Sequence, residues 1–173
     1  MNTSLSAAGI RVRENYFNFF SERIHAEHHF RSWAAVSLTF KKYKKRDDAT
    51  IQRLSICEVS KCIKQLLKTV NRSVYGAAYR RHGKRLMNIS VIEGGGSKHL
   101  HAHLLLEIPR HMAKTPMQFF AVIRREWSRL RWADREKDFQ PICTPSSVSG
   151  WIGYILKDCA FDDGIIDLNN TTI

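Results

Sequence analysis

Residues 99–108 read HLHAHLLLEI, and the fold follows from how this stretch alternates. Side chains on a β-strand point to opposite faces in turn. The even positions, Leu100, Ala102, Leu104, Leu106 and Ile108, make an unbroken apolar face. The odd positions, His99, His101, His103, Leu105 and Glu107, set three imidazoles in a row on the other. A strand with one dry face requires a layer of helices against it.

The flanking sequence supplies that layer. Gly94, Gly95 and Gly96 precede the histidine strand as a hairpin connection, and LMNISVIE, about 86–93, reads as its partner strand. Before it, Ile56, Val59, Ile63, Leu66, Leu67 and Val70 recur at helical spacing over roughly 55–73, with Ser55 and Glu58 suited to a capping box. AAVSLTF, residues 34–40, alternates Val36, Leu38 and Phe40 with the small Ala35, Ser37 and Thr39, as a first strand. After Pro109, Thr115 and Pro116 can start a second helix with an apolar face of Phe120, Ile123, Trp127 and Leu130. A short strand is expected near 138–143, and Ser146 or Ser147 can cap a last helix, about 148–158.

The order β-α-β-β-α-β plus a helix predicts an α+β fold. It is the ferredoxin-like, RRM-like antiparallel sheet with its helices on one face and a tyrosine-bearing helix at the C-terminal end. The expected domain spans 32–160. Residues 1–31 form an extension with a short helix around Tyr16 to Ile24, and 161–173 an acidic tail.

No apolar run approaches a membrane span, and MNTSLSAAGIRVREN has no secretory pattern. Cys57, Cys62, Cys143 and Cys159 show no Cys-x-x-Cys spacing, so a zinc ribbon is not expected and a reducing, cytoplasmic setting is. The net charge is +12, and the last sixteen residues hold four Asp and no Lys or Arg, so residues 1–157 carry +16. Such an imbalance calls for a polyanionic partner.

The histidine face suggests a metal. Imidazoles two residues apart on a strand lie ~6–7 Å apart at the base and can converge on one divalent ion. Glu93, across the hairpin, is the best third ligand, although alternation groups it with Met87, Ile89 and Val91, which resemble a core face. A bulge or the strand end must then turn it, or else His99 or Glu107 serves instead. Two histidines and a carboxylate suit Mg²⁺ or Mn²⁺ acting on phosphate oxygens. In the last helix, GWIGYILKD, Tyr154 and Lys157 share a face. A phenol can attack a phosphodiester that a metal polarises, and a lysine one turn away can steady the developing charge.

Taken together, His101-Ala102-His103 with its apolar continuation, the first-strand AVSLTF and Tyr154-Ile-Leu-Lys157 resemble the HUH endonucleases. Within them the chain is most similar to the single-tyrosine initiators of rolling-circle replication. The likeness spans about 33–158. It implies a metal held by His101, His103 and Glu93, and Tyr154 as the nucleophile on single-stranded DNA at a replication origin. A 5′-phosphotyrosine and a free 3′-OH would result, and rejoining would reverse the link. The basic loops, Lys41, Lys42, Lys44, Lys45 and Arg46 around Tyr43, and Arg80, Arg81, Lys84 and Arg85, would hold DNA phosphates. The small face of Ala35, Ser37 and Thr39 would leave room for the strand. No GxxxxGK[ST] occurs in the sequence, so unwinding would fall to a host helicase. A monomer or weak dimer is expected.

Three other readings compete. A single-tyrosine transposase of insertion-sequence type shares the motifs, but Lys157 fits the initiators better. A cupin-like metal enzyme matches Gly95, His101, His103 and Glu107 in spacing, but Lys114 replaces its closing glycine. An RRM-like nucleic-acid-binding domain would present aromatics where this strand presents histidines.

Overall fold

The computed structural model describes residues 7–27, 32–45, 49–95, 98–134, 147–161 and 164–173. Their α-helices are α1 (Ala7–Glu27), α2 (Ile56–Tyr75), α3 (Ala77–His82), α4 (Pro116–Ser128) and α5 (Val148–Ile155). Their strands are β1 (Ser32–Thr39), β2 (Tyr43–Lys45), β3 (Ile51–Arg53), β4 (Asn88–Gly95), β5 (Lys98–Ile108) and β6 (Gly164–Ile166).

The main sheet has the order β1-β5-β4-β6, and β2 and β3 pair separately as a small hairpin. The histidine strand β5 runs antiparallel to both β1 and β4. Those two are therefore parallel to each other, with α2 in the connection between them: a split β-α-β unit, as the ferredoxin-like reading requires. The strand expected near 138–143 and Arg46 lie outside the described residues.

The even face of β5 is dry. Leu100, Ala102, Leu104, Leu106 and Ile108 pack with Val36 and Leu38 of β1, with Val59, Ile63, Leu66 and Val70 of α2, and with Phe119, Ile123 and Trp127 of α4. Ser55 caps α2 by accepting the Glu58 N–H at 3.3 Å. The reciprocal half of the expected capping box is replaced, because the Glu58 carboxylate turns to Lys61 at 3.1 Å. Cys57 on this helix is exposed and Cys62 is buried. Burial pushes the Cys62 thiol up to about 11, so its thiolate is scarce at neutral pH. Alkylation at pH 8 followed by peptide mapping should modify Cys57 while leaving Cys62 untouched until the protein unfolds.

The opposite face departs from the sequence reading. It is not left open: α1 and α5 cover part of it. Phe20 and Ile24 of α1 and Ile152 and Ile155 of α5 form a second core with Trp33, Ile89, Val91 and Leu105. The reason is physical. Ile89, Val91 and Leu105 sit on the histidine face, and leaving three such side chains wet would forgo roughly 1.5–3 kcal/mol each. The tail also folds back. β6 pairs with β4, and a short 3-10 turn at Leu168–Asn170 follows it.

One glycine fixes the hairpin between β4 and β5. Gly94 adopts φ +91°, and a Cβ there would run into the His99 carbonyl oxygen. Gly94→Ala combines a backbone conformation costly to L residues with a clash against main chain. It should lower stability by at least about 2 kcal/mol in chemical denaturation, while Gly83→Ala, with open space around its Cβ, pays only the conformational part.

Candidate metal centre

Directly opposed residues of antiparallel strands share a face, so the register assembles the site. Thr39, His101 and Glu93 form one cross-strand row, and Ser37, His103 and Val91 the next. Glu93 is thus on the histidine face by plain alternation. No bulge turns it, since the irregularity in β4 comes after Glu93, before Gly95. The expected conflict arose because Ile89 and Val91 belong to the second core.

One carboxylate oxygen gathers the cluster. Oε2 of Glu93 lies 2.9 Å from Nε2 of His101 and 3.3 Å from Nε2 of His103. Glu93, His101 and His103 offer ligand atoms all within 4.8 Å of one another. Donors about 3 Å apart match two ligands held ~2.1 Å from one ion at roughly a right angle. The remaining ring nitrogens are tied back: Nδ1 of His103 hydrogen-bonds Ser37 Oγ at 2.8 Å, and Nδ1 of His101 the His99 carbonyl at 3.2 Å. With each Nδ1–H donating outward, both Nε2 lone pairs point inward, the arrangement that metal-ligating histidines use. Nε2 of His103 is buried without a hydrogen-bond partner among the described residues. An imidazole lone pair facing a carboxylate oxygen needs a proton or a cation between them, so the donor set fits a divalent ion.

The charges agree with this geometry. Glu93 is 1% exposed. Burial opposes its ionisation, yet His101, His103 and Lys157 outweigh that and hold the carboxyl well below the usual range. The Glu93 carboxylate raises His101 above its ordinary value against the effect of burial. Burial pulls Lys157 down, and the same carboxylate more than restores it.

The two alternative ligands are occupied elsewhere. Nε2 of His99 bonds the Phe40 carbonyl. Glu107, buried at the far end of β5, accepts the Met87 N–H at 3.2 Å.

The tyrosine helix reaches the cluster. Ser147 caps α5 by accepting the Gly150 N–H at 3.0 Å. Tyr154 stacks on Trp151 with centroids 5.0 Å apart and meets the His103 ring edge-on at 5.4 Å. It is 45% exposed. Lys157, in the 3-10 turn that follows, places Nζ 3.1 and 3.0 Å from the two Glu93 oxygens and 4.2 Å from the centre of the Tyr154 ring.

Two contributors were not read as such from the sequence. The sequence reading gives Ser37 only a clearance role, whereas its hydroxyl orients His103; the signal is its strand register, which a linear sequence does not state. Trp151 is half-buried and supports the Tyr154 ring. Ala35 is buried, so only Ser37 and Thr39 of the small face remain accessible.

The basic candidates separate. Lys41, Lys42, Tyr43, Lys44 and Lys45 follow β1 at the end where Thr39 pairs with His101. Tyr43 is exposed, and Lys42 lines a cavity of about 320 Å³ with Arg53 and Lys98. Arg80 and Arg81 lie on α3, and Lys84 and Arg85 between α3 and β4. All four precede β4, whose first residue, Asn88, is itself five residues from Glu93, or about 16 Å along the strand.

Comparison of the chain with family models, with curated proteins and with solved structures found no match.

Proposed function

We propose that this domain cuts and rejoins single-stranded DNA, with Tyr154 as nucleophile beside a metal held by Glu93, His101 and His103. What supports this reading is the convergence of two imidazole nitrogens and a carboxylate oxygen directly beside an exposed phenol and a lysine. A divalent ion, Mn²⁺ or Mg²⁺, supplies Lewis-acid polarisation of the scissile phosphate when bound. Imidazole ligands favour Mn²⁺ of the two, because Mg²⁺ prefers oxygen.

The rest of the chemistry falls to the chain. Trp151 and His103 hold the Tyr154 ring, so the phenol oxygen approaches phosphorus from a fixed direction. As that oxygen bonds to phosphorus it loses its proton, and the bond from phosphorus to the 3′-oxygen breaks. The 3′-oxygen takes up a proton and leaves as a hydroxyl. Lys157, over the ring, stabilises negative charge as it develops. One phosphate ester replaces another, so attack by a 3′-OH reverses the step and seals the strand. Lys41, Lys42, Lys44 and Lys45 hold neighbouring phosphates and Tyr43 stacks on a base, which positions the strand without reading its sequence. The natural setting is initiation of rolling-circle replication at an origin, with a host helicase opening the duplex. A single tyrosine leaves the second transfer to another subunit or another molecule.

The test is incubation with labelled single-stranded oligonucleotides and Mn²⁺, followed by a denaturing gel. A band that survives denaturation, absent with chelator, is expected. Cleavage without any covalent band would replace the tyrosine mechanism by hydrolysis.

A further inference from the structure

On the α2 side of the sheet, away from the metal centre, the fold forms a half-open cavity of about 160 Å³. Lys64 and Lys68 of α2, Tyr79 of α3, Arg85, and Asn169 and Thr172 of the C-terminal segment are among the side chains that line it. The lining contains three cations and no carboxylate.

Its walls are fixed. Thr172 exchanges backbone hydrogen bonds with Asn88, at 2.6 and 2.8 Å. The Asn170 amide donates to the Ser60 carbonyl at 2.9 Å and to Asp167 at 2.6 Å. Asn71 accepts the Leu86 N–H at 2.7 Å and donates to the Leu67 carbonyl at 2.7 Å. The tail is thereby stapled to both α2 and β4, and the cavity exists before any ligand arrives.

Its cations are uncompensated. Lys64 and Lys68 are four apart and share one face of α2, whose only acidic residue is Glu58, one or more turns away and engaged with Lys61. Like charges at that spacing repel. Arg85 adds a third charge, and its guanidinium lies over the Tyr79 ring at 6.0 Å. None of these cations has a carboxylate partner among the described residues. A rigid pocket that gathers positive charge beside hydroxyl and amide groups is complementary to a tetrahedral oxyanion.

We propose that this cavity is a phosphate-binding site, separate from the metal centre and independent of the chemistry at Tyr154. Its ligand is a phosphate group, carried either by a nucleic-acid backbone segment that is not being cut or by a free phosphate compound. Of the basic run around Gly83, Arg85 serves this site.

The experiment is a backbone-amide NMR titration of the full chain with inorganic phosphate and, in a second arm, with an unphosphorylated oligothymidylate. Saturable shifts confined to residues 64–71, 79–88 and 169–172 are expected with phosphate. In Lys64→Gln/Lys68→Gln, two exposed positions, the apparent affinity should weaken roughly tenfold or more. Stronger shifts at the same amides with the oligonucleotide identify a nucleic-acid backbone as the source; shifts with phosphate alone identify a free compound. Absence of saturable shifts there, or equal shifts in the double variant, would overturn the proposal.

Discussion

On the proposed function, Tyr154→Phe should remove the covalent protein–DNA adduct while leaving the protein folded and able to bind a single-stranded oligonucleotide. The phenyl ring keeps its stack on Trp151 and its edge contact with His103. The hydroxyl makes no hydrogen bond among the described residues, so nothing is left unpaired when it goes. Stability should change by no more than about 0.5 kcal/mol, the range for exposed substitutions. The adduct should fall by at least roughly 10³-fold, because no other group replaces a deleted nucleophile. Gel quantitation of the adduct and fluorescence anisotropy of a labelled oligonucleotide measure the two halves. An adduct of wild-type yield in this variant would remove Tyr154 from the mechanism.

The second large effect concerns the cluster. His103→Ala deletes a buried imidazole of the candidate metal cluster, leaves Ser37 without its 2.8 Å partner and opens a cavity beside Tyr154. Glu93→Gln keeps the shape and deletes the charge that His101, His103 and Lys157 face. Each should weaken Mn²⁺ binding at least about 10²-fold, more than the 10–100-fold typical of a supporting residue. Metal-dependent cleavage should fall in parallel. The Glu93 variant also strands the Lys157 ammonium, but that group is partly exposed and can rehydrate. Its stability loss should therefore stay below the ~3–5 kcal/mol of a fully buried broken pair. Electron paramagnetic resonance of free Mn²⁺ gives the affinity, and urea denaturation the stability. Unchanged metal affinity in Glu93→Gln would mean that the carboxylate is not a ligand.

What could be read from the sequence was whatever declares itself locally. The alternation of 99–108 gave both the apolar face and the histidine row, and the periodic α2 gave the layer that covers the first. The second core was not legible. Its helix α1 mixes Tyr16, Phe17, Phe20 and Ile24 with polar residues, and its apolar stripe stands out only against Trp33, Val91 and Leu105. Missing that core made Ile89 and Val91 look like partners of the first, and made Glu93 seem to face the wrong way. β6 is three residues long, too short for any period, and forms because β4 offers it an edge. The basic run 80–85 announces an anionic partner by composition. Chain order places it before β4, and the β4–β5 hairpin then sets it at the end of the sheet away from Glu93 and the histidines.

The proposed chemistry needs one ion between β4 and β5 and beside the Tyr154 phenol. Crystals soaked in Mn²⁺ and measured at the manganese absorption edge test this most directly. A single anomalous peak is expected among Glu93, His101 and His103, on the side that Tyr154 faces. No peak there, or a peak at other residues with this cluster empty at saturating Mn²⁺, would contradict it.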